Sequence, residues 1–171
     1  MKKQLLIVLI SFASTAVFAQ GTVIGKYFDQ LATNEQFTKV SVSSKMFSLF
    51  TDLETGSEQE EEFLKAVSKL KGLKIIVADS ISNSASMYKQ ASADISSAGY
   101  DELMSVMDAE ENMKFSIKEK NGVISELIMV VGGNEKFVLL SLFGEIDLKN
   151  ISKIASAMRV DGLEQLKKLD E

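Results

Sequence analysis

The chain is 171 residues long, has a formal net charge of −5, and contains no cysteine, histidine, proline or tryptophan. Those absences remove disulfides, the Ser-His-Asp triad, cysteine nucleophiles and ordinary zinc sites. Carboxylate pairs and a Ser-Lys dyad are the familiar catalytic arrangements still open. The acidic balance argues against nucleic acid or an anionic membrane surface as partner, because both require a basic face.

The first twenty residues, "MKKQLLIVLISFASTAVFAQ", have the layout of a secretory signal peptide: Lys2 and Lys3, an apolar run from Leu5 to Ile10, then small residues around Ala16 and Ala19. The expectation is a leader over residues 1–19, cleaved before Gln20, and a single domain over 20–171. The apolar run is short for a membrane span, which needs about 20 residues. No cysteine follows it that could take a lipid. Without the leader the chain keeps 17 basic and 24 acidic residues, a net charge of −7. A periplasmic or secreted location follows as an expectation, with no stable membrane span after cleavage.

In chain order, Val23, Ile24, Tyr27, Phe28 and Leu31 have helical spacing. "FTKVSVSS" then alternates, Val40 and Val42 against Lys39, Ser41 and Ser43, and predicts a half-buried strand. "KMFSLFTDL" predicts a short helix packed through Phe47, Phe50 and Leu53. "GSEQEEEFLKAVSKLKG" is a clearer helix, with Ser57 and Glu60 at capping-box spacing, acids on the first turn and Gly72 as its stop. "LKIIVADS" predicts a strand. The helix from Ser82 to about Ser97 presents Ala85, Tyr88 and Ile95 to the core together with Ala91 or Ser92, and Gly99 breaks it.

"YDELMSVMDAEE" predicts another short helix, on which Met104 and Met107 are core fillers rather than a copper site with Met113. "NMKFSIKEKNGVISELIMVV" predicts two strands joined at Asn121-Gly122, the pair favoured in a type I′ turn. The Gly132-Gly133-Asn134-Glu135 cluster precedes a strand, not a helix N-terminus, so it reads as a turn rather than a phosphate-binding loop. The strand runs from Lys136 to Phe143 and ends at Gly144. Asp147 is placed to cap a helix bearing Leu148, Ile151, Ile154, Ala155 and Met158; a last helix carries Leu163, Leu166 and Leu169.

Phe28-Asp29-Gln30-Leu31 also aligns with Tyr100-Asp101-Glu102-Leu103, which leaves open a duplicated helix–strand unit or a chance likeness. The expected fold is α+β: a single domain with a five-stranded mixed sheet that ends in a C-terminal antiparallel three-stranded meander, packed by helices. The strands from Thr38 and Met113, each with one polar face, suit the sheet edges. The strand from Lys136 is apolar on both faces and belongs in the middle.

One face of that strand, Val138, Leu140 and Leu142, is the candidate interaction face if helices leave it open. No catalytic, cofactor or metal residues are expected. Asp29, Asp101, Glu102, Glu110 and Glu111 lie near helix ends, but nothing pairs two of them across a cleft. The leading expectation is a non-enzymatic exported protein that binds an envelope protein or itself; the alternative is a periplasmic small-molecule carrier with a pocket between sheet and helices.

The exported start, "YFDQLA", and "GGNEKFVLLSLFGEIDLKNISKIA" together resemble an uncharacterised bacterial family, domain of unknown function 4252. The strand–Gly-x-Ile-Asp-Leu–helix segment, Phe137 to Ile154, is its most telling part. The resemblance implies a small exported protein of a Gram-negative envelope and an accessory role there, with no catalytic residues to transfer.

Overall fold

The computed structural model describes residues 23–51 and 56–147. The elements are α1 (Val23–Gln30), β1 (Thr38–Ser43), α2 (Ser44–Thr51), α3 (Glu58–Ser68), β2 (Leu70–Ala78), α4 (Ser84–Ser97), β3 (Asp101–Met107), β4 (Glu111–Lys120), β5 (Val123–Gly133) and β6 (Lys136–Ile146). They form an α+β fold in which one six-stranded sheet, in the order β1-β2-β6-β5-β4-β3, holds two layers of helix apart. Every pairing is antiparallel. The expected mixed, five-stranded sheet is thus corrected in both respects, while the meander of its last three strands is present as β4-β5-β6.

The added strand is β3, where a helix was expected. Its periodicity is masked by a bulge: the register with β4 shifts between Glu102 and Met104, so Leu103 and Met104 both pack on one core. Two adjacent apolar residues on one side look helical in a sequence, whereas a bulge produces the same pattern in a strand. Pairing with β4 overrides helix propensity here. The strand from Met113 is consequently covered by β3 and is not an edge, whereas β1 is one. The duplication also fails, because Phe28-Asp29-Gln30 closes a helix and Asp101-Glu102-Leu103 opens a strand.

Two further boundaries differ. Gly72 does not stop α3 but lies within β2, where the Phe143 ring covers the space a side chain would fill. Gly144 does not end β6. It pairs with Leu70 at φ +145°, and a Cβ there would run into the backbone of Lys69 and Leu70. On α4, Ser84, Ala91 and Ile95 are buried and Tyr88 packs against the core as expected, whereas Ala85 is exposed. The expected caps and helices after Asp147 lie outside the described residues.

The capping of α3 follows its sequence. The Glu60 amide donates to Ser57 Oγ (3.3 Å), and Glu60 Oε2 accepts from the Gly56 amide (2.8 Å). The β4–β5 turn places Asn121 and Gly122 at φ 56° and 78°, as a type I′ turn requires. Asn134 and Glu135, at φ 45° and 60°, make the two-residue turn between β5 and β6.

The two sheet faces carry separate cores. One joins Phe47 of α2 and Val67 of α3 to Leu73, Phe115, Leu127, Met129, Leu140 and Leu142. The other joins α1 and α4, through Ile24, Tyr27, Ala91 and Ile95, to Ile76, Ile128, Val130, Phe137 and Leu139. The second contact is close because β5 has a glycine beneath α4: a Cβ on Gly132 would meet Tyr88 Cβ and the Ser84 carbonyl.

Candidate interaction surface

Opposed residues on antiparallel strands share a face, so the register orders side chains across the sheet. One lateral row runs Val40, Ile75, Leu140, Met129, Phe115, Met104. Leu140 and Leu142 are 1% and 4% exposed, within the core that α2 and α3 cover. Val138 is partly buried against the same core. In the isolated chain, then, the two leucines of the candidate face are packing residues, and solvent reaches this face only at its margins.

The apolar surface lies at those margins. Val40 on β1 is 40% exposed, and Met46 and Leu49 on α2 are 47% and 54% exposed. At i, i+3 spacing, Met46 and Leu49 share one side of their helix. Since α2 starts at the residue after β1, all three belong to one edge of the molecule. The opposite edge exposes Val106 and Met107 on β3, so Met107 is not the core filler expected of it.

The surplus of apolar residues in "KMFSLF" was the signal for this surface. Met46 and Leu49 lie off the stripe expected to pack through Phe47, Phe50 and Leu53, which leaves two apolar residues to spare.

The two sheet edges differ in how they are guarded. β3 is kinked by its bulge, and Glu102 on it pairs with Lys114 at 2.8 Å. β1 pairs with β2 through six residues without a register shift, and among the described residues β2 is its only strand neighbour. Lys39 is the one charged residue of β1, and a lysine in that position ordinarily discourages pairing with another chain. Here it is drawn inward: Lys39 Nζ donates to the carbonyls of Leu31 (2.8 Å) and Asn34 (3.3 Å) beyond the end of α1. Among the described residues, the outer edge of β1 is thus regular and without a guarding charge.

One buried polar cluster has no motif in the sequence to mark it. Tyr100 OH donates to Glu126 Oε2 and Ser141 Oγ donates to Glu126 Oε1, each at 2.6 Å, and all three residues are buried. Lys118 lies over the Tyr100 ring, 4.8 Å from its centre, and donates to the Ala98 carbonyl. Burial, followed by the hydrogen bond to Glu126, pushes the Tyr100 hydroxyl above the ordinary tyrosine range.

A serine–carboxyl pair resembles an activated nucleophile, but Ser141 has no solvent exposure through which a substrate could reach it. The cluster ties the chain entering β3 to β5 and β6. The acids near the expected helix ends lie elsewhere: Glu102 pairs with Lys114, and the Glu110 and Glu111 amides both donate to Asp108 in the β3–β4 turn. Among the described residues, no group of three or more carboxylates is placed to hold a metal ion.

A family model matches residues 27–154, from α1 past the end of β6. The chain belongs to the DUF4252 family, a domain of unknown function. No curated protein and no solved structure matches it. The DUF4252 match spans all six strands, so the unguarded β1 edge and the Tyr100–Glu126–Ser141 cluster both fall inside the family unit.

Proposed function

We propose that this DUF4252 protein is an exported, non-enzymatic binding domain of the cell envelope that meets a protein partner through the β1–α2 edge. The observation that carries the reading is the combination of exposed Val40, Met46 and Leu49 with a strand edge whose only lysine is turned inward. Exposed apolar surface beside an open strand edge suits a protein partner, through side-chain burial and backbone pairing together. Export rests on the leader-like first nineteen residues. Among the described residues no helix is long and apolar enough to cross a membrane, so any membrane association of this part would be peripheral or made with strands.

The test is in-cell cross-linking of the tagged protein in the envelope fraction, comparing the wild type with the Met46→Lys/Leu49→Lys double variant. The expected result is a reproducible cross-linked species, a second protein or a second copy, that the double variant loses while keeping its unfolding midpoint. A protein that cross-links to nothing and co-purifies with a small molecule would overturn the reading in favour of a carrier.

A further inference from the structure

We infer that the partner at the β1 edge is a second copy of this chain, joined β1 to β1 about a two-fold axis that passes through Ser41. The inference rests on the proposed binding role of the β1–α2 edge and names its occupant. An antiparallel pair about an axis perpendicular to the sheet must oppose residues of the same face, and β1 allows few such registers.

With Lys39 on the axis, two lysines would oppose each other, which is unfavourable. With Val40 on the axis, Val42 would face Thr38, leaving each outer apolar side chain against a polar one. With Ser41 on the axis, Val40 of each copy faces Val42 of the other, Lys39 faces Ser43, and the serines meet on the opposite face. Of these three registers, only the last gives both valines of each copy a valine partner and opposes no like charges.

The sequence around the edge agrees. From Thr38 to Leu49 there is no acidic residue, so the net negative charge of the chain is not concentrated where the copies would meet. Strand pairing over five residues alone makes a small contact, and stable interfaces bury roughly 1,200–2,000 Å² in total. Met46 and Leu49, on the helix that leaves β1, supply further apolar surface beside the same edge. The product is a dimer with a continuous twelve-stranded antiparallel sheet, two copies of the six-stranded one.

The chain has no cysteine, so a single introduced thiol reads the register directly. Across the axis, Ser41→Cys would bring two Cα atoms to about 4.5–5.5 Å, within disulfide range. Ser43→Cys would leave its pair about 14 Å apart, beyond that range. Under mild oxidation of the purified full chain, Ser41→Cys is expected to form an interchain disulfide and Ser43→Cys to form none. Sedimentation should show a concentration-dependent dimer that Val40→Lys weakens about tenfold or more.

Equal cross-linking of the two cysteine variants, or a wild-type chain that stays monomeric at every concentration, would overturn the inference. A monomeric chain whose envelope cross-link still depends on Met46 and Leu49 would leave the binding role standing with another protein as partner. Loss of both results would remove the binding role as well.

Discussion

The Tyr100 hydroxyl is 2.6 Å from a carboxyl oxygen of Glu126, inside the sheet–helix interface, and Ser141 holds the other oxygen at the same distance. Tyr100 joins α4 to β3, so this bond fastens the last strand of the sheet to its middle. Removing the hydroxyl leaves a buried carboxyl oxygen without its donor, a change that costs about 1–3 kcal/mol. Tyr100→Phe should lower stability by that amount in urea unfolding, with an unchanged slope.

Alkaline pH should expose the same tyrosines. Tyr27 and Tyr100 are both held above the ordinary value of 10.0, each first by burial; the charge of Asp94 acts next on Tyr27 and the Glu126 hydrogen bond next on Tyr100. The folded chain therefore keeps these protons at a pH where the unfolded chain releases them. Their contribution is complete below about pH 10 and is lost as pH rises above it. Thermal melts should show a midpoint that falls beyond that point, and the Tyr27→Phe/Tyr100→Phe double variant should fall less steeply.

On the acid side the sign reverses. Asp94 is held below its ordinary 3.8, first by its hydrogen bond from Lys26, so its contribution is present above that value and fades as pH falls below it. The Lys26 side chain is about half exposed, which makes the pair a weak one. Asp94→Asn should change the melting temperature little at pH 7 and flatten its decline between about pH 4 and pH 2.

Two glycines should respond differently to alanine. At Gly132 the new methyl meets Tyr88 and the Ser84 carbonyl, so α4 must lift from the sheet. The expected loss is about 1–3 kcal/mol or more. At Gly122, φ is +78° and nothing lies within reach, so the cost is backbone strain alone, roughly 1 kcal/mol. Urea melts of the two variants give the comparison.

Leu140→Ala and Leu142→Ala test what the face of β6 does in the isolated chain. Both side chains are buried, so each should destabilise by about 2–5 kcal/mol. Met46→Lys and Leu49→Lys, at exposed positions, should stay within about 0.5 kcal/mol of the wild type. Equilibrium unfolding separates the two groups.

Much of the fold was legible because single strands announced themselves. β6 is apolar at nearly every position and proved central; Asn121-Gly122 marked the β4–β5 hairpin; Thr38–Ser43 alternated and proved an edge. β3 was hidden by a bulge that imitates helical spacing, and Gly72 and Gly144 imitated stops because each accommodates a close neighbour rather than a turn. The Tyr100–Glu126–Ser141 cluster joins residues from three strands or strand ends, and only the pairing register brings them together. Its one trace in the sequence was a polar residue at the head of one apolar run, Glu126 before "LIMVV", and one inside another, Ser141 in "VLLSLF". The surface at Met46 and Leu49 was similarly present as an excess of apolar residues on a short helix.

The most direct test of the β1–α2 edge as the meeting surface is hydrogen exchange of the wild-type protein, measured dilute and concentrated. Strand pairing at this edge predicts slower exchange at amides between Lys39 and Ser43 in the concentrated sample, with β3 unchanged. Identical exchange along β1 at both concentrations, or protection gained at β3 instead, would contradict it.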